Sequence, residues 1–448
     1  MRERSAGIWW LHPSFVFAAA GVAISIAAYA IPESTYRIYW RTPKFFDERA
    51  LTITLLCVLV FVIGSLCGTR LASCSWPQRR SQPADETPWS LMFLLFRISF
   101  YLCLAGYALW TAIAIERGIT LGVVWGILTG EKGAMYEARF VYLPTVGGVT
   151  TLTQFGSALM ILAPIIGFGR GFRPIWPKCA IVLSLAVLRA LLNSERFAIF
   201  ELLVPFVIAS LGLRFIGSTA IGLRWRTAVN LAPLIGVVAL FVTFTGFEYF
   251  RSWSNYYAGR ELSLWEFGAM RLLGYYVTSF NNGAYFLQRL EPLGGPYFTL
   301  HFLWGFPLSG PLMKRLFPNP LLDSGEKWFY FPFLESEANA EFNNADGMLF
   351  PLMDFGVAGG LLYWFVIGVT LGAVYQCFLR RASLGLLLYP ILYLGLIEVP
   401  LALYWGEGRA FPSLLLLIAA SALIGLSRNQ YHWVAQPVLK RPLTTHAL

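Results

Sequence analysis

Residues 50–68 read ALTITLLCVLVFVIGSLCG, without a single charge. As a helix this stretch would be about 28 Å long, close to the roughly 30 Å hydrocarbon core of a bilayer. It therefore predicts a membrane span, and it sets the pattern for the chain. Nine further apolar stretches follow that pattern: 10–31, 88–115, 150–168, 179–192, 197–213, 228–247, 355–377, 384–401 and 411–426. Composition agrees. The chain is 57% hydrophobic and 13% charged, with a mean hydropathy of +0.60. A soluble domain of 448 residues needs more charge than this to cover its surface. The sequence predicts an all-α polytopic integral membrane protein with about ten transmembrane helices.

Orientation follows from the short basic loops. GRGFRPIWPK (169–178), RWR (224–226) and LRR (379–381) belong on the cytoplasmic side. That choice makes both termini cytoplasmic, including a tail at 428–448. It gathers 16 basic residues inside against three acids, Glu3, Asp85 and Glu86. The net charge of +10 is then a product of membrane orientation, which argues against a nucleic-acid partner. The six cysteines all fall in helices or at cytoplasmic ends, so no structural disulfide is expected. The first apolar stretch lacks a small-residue cleavage site and reads as a retained helix.

Three outer segments exceed turn length: 32–49, 116–148 and 248–350. ITLGVVWGILTG (119–130) is apolar but too short to span, which leaves it re-entrant or interfacial. The loop at 248–350 is rich in aromatics. Its stretches 262–286 and 298–312 are expected to lie on the surface, over lipid or over a cavity.

The polar chemistry gathers on this outer side. Arg139, Arg196, Arg251, Arg271 and Arg409 fall at or near outer helix ends on five segments, with Arg189 deeper in the fifth span. Arginine at membrane depth is costly unless paired or facing water, and its planar fork matches phosphate oxygens. A converging set suits a diphosphate head group. Any one of them could equally pair with Glu195, Glu248, Glu407 or a lipid phosphate. In TGFEYFRSW (245–253), Glu248 and Arg251 are three apart and share a helix face, with Tyr249 beside them. GYYVTSFNNGAYF (274–286) offers Tyr275, Tyr276, Asn281 and Asn282, a mix that suits sugars or simply an interfacial helix. ESEANAEFNNADGMLFPLMDFGVAGG (335–360) carries Glu335, Glu337, Glu341, Asp346 and Asp354 into the eighth span. There Gly356, Gly359 and Gly360 are expected to permit close helix packing. A carboxylate beside a sugar cavity could serve as general base.

Motifs for zinc proteases, serine hydrolases and phosphate-binding loops are missing from the sequence. Asp47–Glu48 is a weak metal signal, and no metal or cofactor is expected.

Taken in order, IYWRTPKFF (38–46), the apolar 119–130 stretch, NSERFAIFELLVPF (193–206), FEYFRSW (247–253), LLGYYVTSFNNGAYF (272–286) and ADGMLFPLMDFGVAGGLL (345–362) resemble the Wzy-type oligosaccharide repeat-unit polymerases, the O-antigen polymerases of bacteria. The late motif also resembles a segment of the related ligases, but no histidine stands near Asp346. The resemblance implies a glycosyltransferase of the inner membrane with its site facing the periplasm. It would polymerise undecaprenyl-diphosphate-linked repeat units into O-antigen, capsule or exopolysaccharide. A chain-length regulator and a flippase are implied as partners. In that scheme Arg139, Arg196, Arg251 and Arg409 bind the diphosphate, and Arg196 also counts as catalytic through the leaving charge. Asp346 or Glu248 is the base. Tyr249, Tyr275, Tyr276, Asn281 and Asn282 orient sugars. The alternatives are a flippase or exporter for the same lipid, another lipid-dependent glycosyltransferase, or a polysaccharide ligase.

Overall fold

A computed structural model describes residues 8–75, 88–193, 195, 197–216, 223–257, 259, 262–289, 291–306, 309–318, 334, 336–339 and 341–426. Among the described residues there is no strand. Among the described residues, a set of mostly long helices carries the fold. They are α1 (Pro13–Ala30), α2 (Glu33–Tyr39), α3 (Glu48–Ser75), α4 (Trp89–Glu116), α5 (Leu121–Thr129), α6 (Val149–Arg170), α7 (Trp176–Asn193), α8 (Phe197–Arg214), α9 (Leu223–Glu248), α10 (Leu264–Arg289), α11 (Phe350–Leu379), α12 (Ser383–Glu398) and α13 (Phe411–Leu426).

Among the described residues, eight helices are long and apolar enough to cross a membrane: α1, α3, α4, α6, α7, α8, α9 and α11. The chain is thus a polytopic membrane protein. The two remaining apolar stretches form α12 and α13, of 16 residues each. At about 1.5 Å per residue they are shorter than a typical bilayer core.

Local chemistry explains the helix limits. Pro13 opens α1, where a missing N–H costs nothing, and the His12 ring accepts from the Ser14 amide at 3.2 Å. Asp47 accepts from the Ala50 amide at 2.8 Å and so caps α3. Thr120 caps α5, which ends at Gly130 in the left-handed region. Leu121 and Trp125 of α5 are exposed.

Packing divides into two cores. One joins α4, α6, α7, α8, α12 and α13, and the other joins α1, α3, α10 and α11. The Tyr393 hydroxyl on α12 donates to the Trp10 carbonyl ahead of α1 at 3.0 Å, and Tyr389 donates to Leu11, which fixes the segment ahead of α1 into the first core. α9 stands at the edge and is largely unburied.

Two expectations are corrected here. The 262–286 stretch does not lie on the surface. It forms α10, whose Val277 to Phe286 run is buried. Its small residues let it sink: Gly274 lies against Trp40, and Gly283 against Asp346 and Leu349. Nor do Gly356, Gly359 and Gly360 bring helices together. Gly356 has φ 72 and ψ 177 and kinks α11, while Gly359 and Gly360 sit against Phe355 and Leu352 of the same helix. The close packing lies elsewhere. Gly64 and Gly68 of α3 meet the backbone of α11 around Phe365 and Val369, and Gly368 and Gly372 of α11 meet that of α3 around Phe61 and Ser65. These are two small-xxx-small pairs facing each other.

Candidate functional site

A cavity of about 670 Å³ opens between α8, α9, α10, the 131–140 segment, residues 341–344 and the end of α12. Its apolar lining includes Phe200 of α8 with Leu240 and Phe244 of α9. Its polar lining includes Arg139, Glu195, Arg251, Tyr275, Tyr276, Glu341, Asn343, Asn344 and Glu398. Arg139 and Arg251, taken from the sequence as diphosphate ligands, thus meet in one cavity. So do Tyr275 and Tyr276.

Both cavity arginines sit on π-helical turns. Arg139 lies in Ala138–Tyr142, and Arg251 lies in Tyr249–Tyr257, which continues α9. The wider turn re-aims side chains relative to an α-helix and is common at functional sites.

Two ion chains flank the cavity. In the first, Glu195 is held by Arg189 and Arg409, each at 2.6 Å, and Arg409 also grips Glu201 at 3.0 Å. Arg189 further donates to Thr153 at 2.8 Å. Burial alone would raise the Glu195 carboxyl, but Arg409 and Arg189 outweigh it and hold it below the usual carboxylate range. In the second chain, Glu248 lies 3.7 Å from Arg251 and 3.5 Å from Arg271, and Arg271 reaches Glu341 at 2.7 Å. Arg251 also donates to the Tyr275 hydroxyl at 3.1 Å. Arg271 is packed among the rings of Phe342, Tyr275 and Phe267.

Two cavity groups stand outside these chains. Among the described residues Arg139 makes no direct ion pair or hydrogen bond with a carboxylate, and Glu195 acts on it only through space. Burial, then the like charge of Arg251, push its guanidinium below its ordinary value. Two cations sharing one cavity create a place where an anion is favoured. Glu398, at the end of α12, lines the same cavity, and its carboxylate has no hydrogen-bond or ion-pair partner among the described residues. Sequence reading missed it because it closes an apolar run and belongs to no polar motif.

Other predicted site residues are placed away from the cavity. Arg409 does not line it; its fork is taken by Glu201 and Glu195. Glu248 is fully buried between Arg251 and Arg271, which fits an orienting partner better than a free base. Tyr249 is exposed and outside the lining. Asp346 is fully buried in the α1–α3–α10–α11 core at φ 54. Its Oδ1 accepts from the Met348 amide at 2.9 Å, and its Oδ2 has no partner among the described residues. Burial raises its carboxyl well above the ordinary value. Asp354 accepts from the Phe298 and Thr299 amides and the Thr299 hydroxyl, pinning that segment to α11. Arg196 and Glu335 lie outside the described residues.

The amides need a specific correction. The sequence contains FNN twice, at 280–282 and 342–344. Asn281 and Asn282 of the first copy build structure. Asn281 accepts from the Phe45 and Phe46 amides at 2.6 and 3.0 Å and donates to the Pro43 carbonyl at 2.8 Å. Asn282 donates to the Phe342 and Asn344 carbonyls at 2.7 and 2.8 Å. The second copy, Asn343 and Asn344, faces the cavity. Asn282 thus positions the second copy, while Asn281 fixes the 43–46 segment. Among the described residues no group of three or more His, Cys, Asp or Glu could hold a metal ion.

No protein-family description, no curated protein and no solved structure matches this chain.

Proposed function

We propose that this chain is a membrane glycosyltransferase that polymerises undecaprenyl-diphosphate-linked oligosaccharide repeat units at the periplasmic face of a bacterial inner membrane. In this reading the bundle has ten spans, with α12 and α13 among them and both termini cytoplasmic. The carrying observation is the cavity in which Arg139 and Glu398, neither of them ion-paired among the described residues, share space with the half-buried Arg251, beside an apolar lining.

Arg139 and Arg251 hold the donor diphosphate and neutralise charge as it leaves. Arg251 is aimed by Glu248 and Tyr275. The polyprenyl tail lies against Phe200, Leu240 and Phe244. Tyr275, Tyr276, Asn343 and Asn344 orient the sugars. Glu398 takes the proton of the attacking acceptor hydroxyl. The new bond joins that oxygen to the donor's anomeric carbon. The bond from that carbon to the phosphate oxygen breaks, and the lipid diphosphate departs with the electron pair. This assignment moves the base from Asp346 to Glu398 and leaves Glu248 as a positioning residue.

The test is reconstitution of purified protein in lipid nanodiscs with undecaprenyl-diphosphate-linked repeat units. A ladder of joined units is expected. Absence of any joined product, with the protein folded and its native repeat unit supplied, would sink the reading. In cells, deletion of the gene is expected to leave single units attached at the surface. Loss of all attached sugar would favour a flippase or ligase instead.

A further inference from the structure

A second cavity, of about 440 Å³, lies beside the first and is within the size range of ligand sites. Tyr39, Trp253, Tyr257 and Phe267 give it an aromatic wall, and Arg41 stands at its edge. Phe267 is buried beneath the rings of Trp253, 5.4 Å away, and Tyr257, 4.7 Å away. The polar wall is the Arg271–Glu341 ion pair. Glu341 lines both cavities, so this pair divides them.

We propose that this second cavity is a saccharide-binding site that holds the sugar chain while the next unit is added. The proposal rests on the polymerase reading for its purpose, though the binding itself does not.

The chemistry favours a sugar over a lipid tail. A pyranose ring presents an apolar C–H face and a rim of hydroxyls. Aromatic planes take the face, and charged forks take the rim. A lipid tail would find an arginine and an ion pair in the wall, with nothing to offer them. The wall is also set in advance. The Trp40 indole donates to the Met270 carbonyl at 3.0 Å. Asn339 donates to the Trp40 carbonyl at 3.0 Å and accepts from the Glu341 amide at 3.0 Å. These bonds fix the end of α2, α10, Asn339 and Glu341 around one space before any ligand arrives. Arg41 has φ 51, a left-handed conformation that a branched-free but bulky residue rarely holds. Its guanidinium is exposed and has no partner among the described residues.

The site is tested by binding and by product length separately. The probe is lipid-free oligosaccharide of three or more repeat units, cut from the cell's own surface polysaccharide. Calorimetry on the nanodisc protein is expected to show binding. Tyr257→Ala and Arg41→Ala should each weaken it about tenfold, and Tyr257→Phe should restore it. In the transfer assay both alanine variants should make the first linkage at the normal rate but yield shorter ladders. Binding unchanged in both alanine variants, or no binding to the parent protein, would overturn the proposal. Loss of the first linkage together with binding would overturn the holding role. A parent protein that binds the oligosaccharide and joins nothing would refute the polymerase reading while leaving the site standing.

Discussion

Arg409 holds Glu201 in a two-point fork, Nε to Oε1 at 3.0 Å and Nη2 to Oε2 at 3.1 Å. Glu201 is 3% exposed, so removing the arginine strands a buried carboxylate. Arg409→Ala is expected to destabilise the protein by about 3–5 kcal/mol, and Glu201→Ala by a similar amount. The double variant should cost less than the sum, because the partners share one interaction. Thermal unfolding in detergent measures all three. Additive losses would show that the fork is not a coupled unit.

Arg139 gives the opposite profile. It lines the cavity and makes no direct ion pair among the described residues, so Arg139→Ala should change stability by less than about 0.5 kcal/mol. If it stabilises the leaving diphosphate, turnover should fall about 10²–10³-fold. A normal transfer rate in the nanodisc assay would remove Arg139 from the mechanism.

These two arginines show what the sequence could and could not disclose. Charge pattern and helix length placed both at outer span ends. Whether a given arginine was spoken for depended on Glu201 and Glu195, which come from a different part of the chain and share no motif with Arg409. The same limit applies to the asparagines. Composition made the first FNN a sugar candidate and passed over the second, since which copy faces the cavity depends on how α10 sinks into the bundle. α10 itself was misplaced because its Asn, Ser, Thr and Tyr residues lower its apolar signal. Asn281, Asn282 and Ser279 are satisfied by loop backbone, Tyr275 by Arg251 and Thr278 by the Gly274 carbonyl of its own helix, which burial rewards and hydropathy does not record. The membrane spans were legible because length and missing charge are one-dimensional properties.

Glu398 and Asp346 should separate cleanly. Glu398→Gln keeps shape and removes the proton acceptor. Turnover should fall about 10²–10⁴-fold if the carboxylate is the general base. Asp346→Asn, buried away from the cavity, should leave turnover near normal. The reverse pattern in the transfer assay would return the base to Asp346.

Asp346 also predicts a pH dependence. Its folded-state carboxyl is raised by burial above the ordinary value of 3.8. Below the unfolded value both states are protonated and nothing changes. As pH rises past it, the unfolded chain releases a proton that the folded chain keeps, so stability falls until the folded value is passed. Asp346→Asn should abolish this loss and leave a flatter profile. Asparagine can still accept from the Met348 amide, and it tolerates φ 54. Asp346→Ala loses both advantages and should be less stable than Asp346→Asn. Melting curves taken at rising pH from the ordinary carboxyl value of 3.8 upward decide the matter. An unchanged slope in the Asn variant would show that another group sets the profile.

The α3–α11 seam yields the last prediction. Alanine is normally a better helix former than glycine by about 1 kcal/mol. On Gly68, however, an added Cβ would overlap the Val369 carbonyl, and on Gly372 it would overlap that of Ser65. Both obstacles are backbone, so neither can turn aside as a side chain would. The overlap should outweigh propensity and destabilise by about 1–3 kcal/mol or more, as overpacking does elsewhere. Gly236 on α9 is the control, since a Cβ there meets nothing within 4 Å. Gly236→Ala should be neutral or slightly stabilising in the same melt. If all three alanine variants behave alike, the seam is looser than the facing glycine pairs imply, and helix propensity alone governs these positions.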